Sequence, residues 1–253
     1  MHYQIDLNSD MGESFGAYKL GNDAEIIQYV TSANIACGWH AGDPMVMDRT
    51  VKAAAAHGVA VGAHPGYPDL MGFGRRKMTL SPLETKNYVK YQIGALWAFA
   101  KSEGLKLQHV APHGSLGNLC QYDRETSRAI CEAVYEIDPS IIIYYCAGAV
   151  LGEEAKKLGL TAKSEIFADR AYMDDLSLVP RSMPGAMITD EDIAIARCIR
   201  MVKEGKVTSL NGKELAIRGD TLCVHGDGAK ALAFVEKIRA AFTAEGIEIR
   251  NFQ

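Results

Sequence analysis

The residues through which this chain could do chemistry are histidines and carboxylates placed at the ends of apolar runs. Asn34 to Pro44 reads Asn-Ile-Ala-Cys-Gly-Trp-His-Ala-Gly-Asp-Pro, so an apolar run gives way to an imidazole at His40 and a carboxylate at Asp43, just before a helix start. The same order recurs. Val59 to Ala63 ends at His64, Lys106 to Ala111 ends at Pro112-His113, Thr161 to Phe167 carries Glu165, and Thr221 to Val224 ends at His225. The alternating first run, Tyr3 to Leu7, adds Asp6 and, just beyond it, Asn8. Imidazoles and carboxylates in one cleft either hold a divalent metal that activates water or serve as general acids and bases on a polar substrate. No Cys-x-x-Cys or His-x-Glu pair occurs, so a metal site would be assembled across separate runs.

Cations form a second set. Arg75 and Arg76 close a Pro- and Gly-rich loop that begins at Pro65, and Arg170 and Arg181 lie in the long loop after Phe167. A guanidinium offers a planar fork of donors that suits carboxylate or phosphate, and its structural alternative is a salt-bridged loop anchor. Tyr67, Tyr172 and Trp39 either line a pocket or pack these loops. His57 closes a helix, where it complements the dipole, and His2 and His109 look incidental.

These residues need a scaffold that brings strand ends together. Seven apolar runs alternate with helical patterns such as Pro44 to His57, Ser81 to Glu103, Asp123 to Glu136 and Ala229 to Ala244. Ser81-Pro82-Leu83-Glu84 is a capping sequence, and Gly58 and Gly104 are helix stops. Alternating β and α segments at this spacing demand parallel strands with helices outside. The expectation is one domain over residues 1–253, an irregular (β/α)7 barrel with a β-hairpin excursion around 208–218 at Asn211-Gly212. Barrels collect their active residues at the C-terminal ends of the strands, so Asp6, Asn8, His40, His64, His113, Glu165 and His225 should share one mouth. An open doubly wound sheet is the alternative, though no Gly-x-Gly-x-x-Gly turn follows the first strand.

The totals narrow the partners. A chain of 253 residues with net charge -4 and pI near 6.0 has no basic surface for nucleic acid. No apolar run reaches the roughly 18 residues that span a bilayer, and the N-terminus goes straight into a strand pattern, so a cytoplasmic protein without a membrane partner is expected. The six cysteines fit buried reduced thiols. No P-loop is present.

Long blocks then carry a resemblance. Asp6-Leu-Asn-Ser-Asp-Met-Gly-Glu-Ser-Phe-Gly16, Asn34 to Pro44, Gly62-Ala-His-Pro-Gly-Tyr-Pro-Asp69 with Gly72-Phe-Gly-Arg-Arg76, Glu165 through Phe167-Ala-Asp-Arg170, and Val224-His-Gly-Asp227 resemble the LamB/YcsF family in order over nearly the whole chain. The resemblance implies a (β/α)7 barrel of the glycoside hydrolase/deacetylase type. It also implies an A subunit that, with B and C subunits, opens the lactam of 5-oxoproline to glutamate with ATP as co-substrate, the nucleotide being held by another geometry or another subunit. On the matching blocks the catalytic set becomes Asp6, Asn8, Asp10, His40, His64, His113, Glu165 and His225. The substrate-binding set is Glu13, Asp43, Tyr67, Asp69, Arg75, Arg76, Asp169, Arg170, Arg181 and Asp227, and a divalent metal has Asp10, His40, His64 and His113 as candidate ligands. A homo-oligomer is compatible with this reading. A metal-dependent deacetylase or amidase and a non-catalytic substrate-binding subunit stay as alternatives. Against the family pattern Val-Lys-Pro-His-Gly-Ala-Leu-Tyr-Asn, this chain has Ala111 for the lysine and Gly117 for the tyrosine, and Asp174-Asp175 stands where Asp-Gly is expected.

Overall fold

Seven parallel strands close on themselves in a computed structural model that describes residues 2–224 and 231–252. Strands β1 (Tyr3–Met11), β2 (Ser32–Ala36), β3 (Ala60–His64), β4 (Leu107–Val110), β5 (Ile142–Cys146) and β6 (Ala162–Phe167) pair in sequence order. A two-stranded antiparallel excursion, β7 (Lys206–Thr208) with β8 (Glu214–Ala216), stands outside the barrel. Strand β9 (Thr221–Cys223) then pairs with both β6 and β1 and completes the ring. The closed barrel agrees with the sequence expectation. A further short strand, β10 (Ile247–Ile249), lies parallel to the start of β1 and was not expected, because three residues leave too short a run to stand out.

The helices are α1 (Asp23–Ile26), α2 (Pro44–His57), α3 (Pro82–Ser102), α4 (Gly114–Leu119), α5 (Arg124–Ile137), α6 (Val150–Lys157), α7 (Glu191–Glu204) and α8 (Ala231–Ala244). Their starts follow local chemistry. The Asp43 carboxylate accepts from the Met45 and Val46 amides, and Ser81 and Glu84 exchange side-chain-to-backbone hydrogen bonds as a full capping box. Helix α2 stops at Gly58, whose φ of 66° costs a glycine little. Helix α3 buries Val89, Ile93, Leu96 and Ala100, one stripe at helical spacing, while Leu83 and Tyr91 face solvent.

Strand alternation sorts β1 into two faces. Ile5, Leu7 and Met11 join the apolar layer beneath the helices, with Ile35, Val61, Ile143 and Leu222 from other strands and Ile93, Ile130, Val235 and Phe242 from α3, α5 and α8. Asp6, Asn8 and Asp10 alternate with them and enter a polar network inside the barrel.

Phe252 packs at the end of the barrel opposite the strand C-termini. Gln108 Nε2 donates to the Phe252 carbonyl, the Phe252 ring meets Tyr144 edge-on at 5.9 Å, and Lys163 Nζ sits 4.4 Å from its centroid. Among the described residues no helix is long and apolar enough to cross a membrane. All six cysteines are unpaired, and burial pushes the thiols of Cys37 and Cys120 up to about 12.

Candidate active site at the barrel mouth

Four strand ends build the centre. Strand β1 delivers Asp10 and, after Gly12, Glu13; the turn after β2 delivers His40; β3 ends on His64; and the segment between β4 and α4 presents His113. His40 and His113 stack with ring centroids 3.7 Å apart and planes within 5°, and His64 stands edge-on to both, at 5.4 and 4.8 Å. Glycines let the loop from Pro65 to Arg76 lie against this stack. A Cβ at Gly74 would sit 2.7 Å from His40 Cβ and 2.9 Å from His113 Cδ2, so no larger residue fits without displacing the rings.

Hydrogen bonds fix the protons. His64 Nδ1 faces the Ala111 carbonyl at 2.6 Å and His113 Nε2 faces the Phe73 carbonyl at 2.8 Å, so both nitrogens must carry hydrogen. His64 Nε2 and His113 Nδ1 are 2.9 Å apart and share one proton, and Asp10 Oδ1 lies 3.3 Å from the same His64 nitrogen. Burial opposes charge on His64, but the Asp10 carboxylate, its hydrogen bond and the Glu13 carboxylate outweigh it and raise the imidazole to about 9. Burial and then the His64 charge push His113 down to about 3. The proton therefore belongs to His64, which is an imidazolium at neutral pH, while His113 is neutral and accepts.

His40 differs. Burial, then the repulsion it would meet from His113 and His64, holds it well below the usual histidine range, and neither ring nitrogen makes a hydrogen bond among the described residues. Glu13 Oε1 is 3.4 Å from His40 Nε2. A neutral imidazole without a hydrogen-bond partner beside a buried imidazolium is an acid and a base held in one cluster.

Below this layer Asn34 ties the network together. Its Nδ2 donates to Asp10 Oδ1 at 2.9 Å and Asn8 Oδ1 at 2.8 Å, and its Oδ1 accepts from His109 Nε2 at 2.7 Å. Asn8 Nδ2 in turn donates to Glu165 Oε1 at 3.0 Å. Asp6 lies one layer deeper, taking hydrogen bonds from Thr31, Ser32, Tyr144 and Thr221, and burial outweighs these bonds to raise its carboxyl. Asp6 and Asn8 thus belong to the barrel interior rather than the mouth. His109, incidental by its place in the sequence, is fully buried and stacks on Tyr144 at 3.9 Å. Its signal in the sequence is Gly62, an unexpected glycine in a strand, because a Cβ there would collide with the His109 ring. His109 and His113 are four apart, yet strand and loop geometry sends them to different layers.

The remaining residues divide by partner. The Asp43 carboxylate is occupied by the α2 amides and the Gly16 amide at 2.7 Å, and Asp69 by Arg76 Nε at 2.7 Å and the Gly72 amide at 3.0 Å. Asp43, Asp69 and Arg76 therefore hold the loops. Tyr67 is 2% exposed within the apolar core and Tyr172 is fully buried, its hydroxyl accepting from the Phe167 amide. Trp39 packs between Tyr88 and Tyr91. The Arg75 guanidinium lies 5.3 Å from the Phe73 ring, and its charge reaches His40 and His113. Asp169, Arg170 and Arg181 lie in the segment after β6, Asp169 half-buried, Arg170 buried and Arg181 exposed. His225 and Asp227 lie outside the described residues.

A closed parallel barrel with an imidazole–carboxylate centre at its C-terminal rim defines a TIM-like (β/α)7 barrel protein with the equipment for acid–base chemistry. The LamB/YcsF family profile matches residues 5–253, and the chain belongs to that family. It is 58% identical over 247 residues to the A subunit of 5-oxoprolinase from Alkaliphilus metalliredigens, covering 98% of this chain and 96% of that protein. The crystal structure of a lactam utilization protein from Thermus thermophilus superposes with a TM-score of 0.93 at 52% identity, covering 98% of this chain and 100% of that one. The catalytic domain of a peptidoglycan N-acetylglucosamine deacetylase from Eubacterium rectale shares the fold alone, at 10% identity and a TM-score of 0.53, covering 100% of this chain and 90% of that one.

Proposed function

We propose that this chain is the A subunit of an ATP-dependent 5-oxoprolinase, hydrolysing the C–N bond of the 5-oxoproline lactam to give L-glutamate in a complex with B and C subunits. The likeness to proteins named as the A subunit of 5-oxoprolinase supports the substrate. The observation that carries the chemistry is the buried His64–His113 pair, with Asp10 beside it and His40 free of hydrogen bonds among the described residues. A five-membered lactam is a stable amide, so its carbonyl must be activated, its water deprotonated and its leaving nitrogen protonated. ATP supplies the activation by phosphorylating the lactam oxygen. Neutral His40 takes the proton of the attacking water. As the C–N bond breaks, the His64 imidazolium, kept protonated until then by Asp10, gives its Nε2 proton to the ring nitrogen and becomes neutral. C–N cleavage leaves an acyl phosphate, which a second water attacks at the carbonyl carbon; phosphate leaves with the original lactam oxygen, so one lactam, one ATP and two waters become glutamate, ADP and phosphate.

The experiment is ATP-dependent glutamate release from 5-oxoproline by the chain isolated with its partner subunits. His64→Gln and His40→Gln should each lower it by roughly 10²–10⁴-fold with the fold intact. Lactam opening by the isolated chain without ATP would sink the shared mechanism.

A second reading is favoured by one observation. Glu13, His40, His64 and His113 each offer a ligand atom, and these atoms all lie within 4.8 Å of one another. Three imidazoles and a carboxylate, one imidazole with both nitrogens unengaged, suit a divalent metal such as zinc. Glu13 thus joins the candidate ligands, and Asp10 would orient His64. When bound, the metal would polarise an amide carbonyl and lower the pKa of water. Elemental analysis of the purified protein, together with chelator sensitivity of the activity, separates the two readings.

A further inference from the structure

Arg170 follows β6 at the same end of the barrel as the histidines. Its backbone is pinned, the carbonyl accepting from Arg197 Nη2 at 2.7 Å and the residue bridging to Met187. Its side chain is 7% exposed. Nη2 donates to the Val179 carbonyl at 2.6 Å, but Nε is buried and has no hydrogen-bond partner among the described residues. Burying a guanidinium donor unpaired is costly, and proteins tolerate it where something else arrives to pair it. The neighbourhood is cationic. Burial, then the Arg181 charge, lowers Arg170 from the usual arginine value, with Asp169 opposing and Arg75 adding to the repulsion. The Arg75 guanidinium lies 5.3 Å from the Phe73 ring, which stands edge-on to His40 and His113 at 5.7 and 5.2 Å, and this places Arg75 beside the imidazole cluster.

We infer that Arg170, with Arg75 and Arg181, forms a carboxylate subsite that anchors the ring-borne carboxylate of the lactam substrate. This rests on the lactam reading above. The carboxylate of 5-oxoproline stands on the carbon next to the ring nitrogen. A fork that grips it fixes the ring's rotation and presents the carbonyl and nitrogen to the histidines. A phosphoryl group offers the same guanidinium the same chemistry, so the test must separate the two.

Calorimetric titration of the full-length chain, in the assembly in which it is isolated, would use L-5-oxoproline, 2-pyrrolidinone (the same lactam without the carboxylate) and inorganic phosphate. The unsubstituted protein should prefer 5-oxoproline over 2-pyrrolidinone by roughly 10- to 100-fold, the ratio that charge-assisted hydrogen bonds supply. Arg170→Gln should bring that ratio towards one while leaving 2-pyrrolidinone binding unchanged, and Arg170→Lys should restore part of it. Arg181→Gln, at an exposed position, should also reduce the ratio and serves if Arg170→Gln does not fold. A preference left intact in these variants overturns the subsite alone. Phosphate binding that depends on Arg170 while 5-oxoproline binding does not reassigns the guanidinium to a phosphoryl group and overturns the carboxylate. If the unsubstituted protein binds neither lactam, the lactam reading falls and the carboxylate assignment with it.

Discussion

His64 Nε2 and His113 Nδ1 lie 2.9 Å apart, and the outer nitrogen of each ring faces a backbone carbonyl, so a single proton sits between two otherwise committed imidazoles. Which ring holds it is decided by Asp10, 3.3 Å from His64 Nε2 and the last inward residue of β1, which runs on to Met11 beyond the Tyr3 to Leu7 alternation legible in the sequence.

The pair makes stability depend on pH at both ends. His64 is raised to about 9 in the fold, so its contribution is complete below pH 6.5 and is lost as pH rises through 9. His113 is lowered to about 3, so its neutral form favours the fold above pH 6.5 and that advantage is lost as pH falls towards 3. Thermal unfolding of metal-free protein should show a maximum near pH 6.5 with stability falling on either side, and NMR titration should find one imidazole still charged at pH 8. A His64 that titrates near 6.5 would remove the imidazolium from the mechanism.

Asp10→Asn keeps the shape and removes the charge. The His64 pKa should fall, and lactam turnover at pH 7 should drop by at least about tenfold because the general acid is no longer protonated. The pH profile distinguishes this from misfolding: activity lost at pH 7 should return in part below pH 6.

Asn34→Ala leaves Asp10 and Asn8 without their shared donor and the His109 Nε2 hydrogen without an acceptor. Stability should fall by about 1–3 kcal/mol in denaturant titration. Lower kcat with KM nearly unchanged would mark Asn34 as a positioning residue, whereas unchanged kcat would leave it a purely structural one.

The two departures from the family pattern behave differently in three dimensions. Ala111 is buried with its carbonyl committed to His64, and a Cβ at Gly117 would run into the Pro112 carbonyl oxygen. Gly117→Tyr should therefore destabilise the protein by about 1–3 kcal/mol unless the start of α4 shifts. Ala111→Lys is the cleaner test of whether an ammonium beside His113 raises lactam turnover.

Strand, glycine and helix-cap signals make the barrel legible, because each is a local rule acting over a few residues. His40, His64 and His113 are legible as strand-end residues for the same reason. The polar filling is not. Asn34 and His109 look like ordinary strand residues until seven strands close and turn their side chains onto one axis. Helix α4 is hidden because glycine begins it and its six residues, Gly114–Leu119, are too few for a periodic pattern. Asp43 and Asp69 suggest binding roles because they are carboxylates in conspicuous loops, but backbone amides and Arg76, brought to them only by the folded loops, already occupy both.

Phe252 stands at the far end of the barrel, its carbonyl taking a hydrogen bond from Gln108 and its ring resting on Tyr144, whose hydroxyl reaches Asp6. From Asp6 the chain of contacts climbs through Thr221, Asn8 and Asn34 to Asp10, so the tail is wired along the barrel axis to the carboxylate that sets the histidine proton.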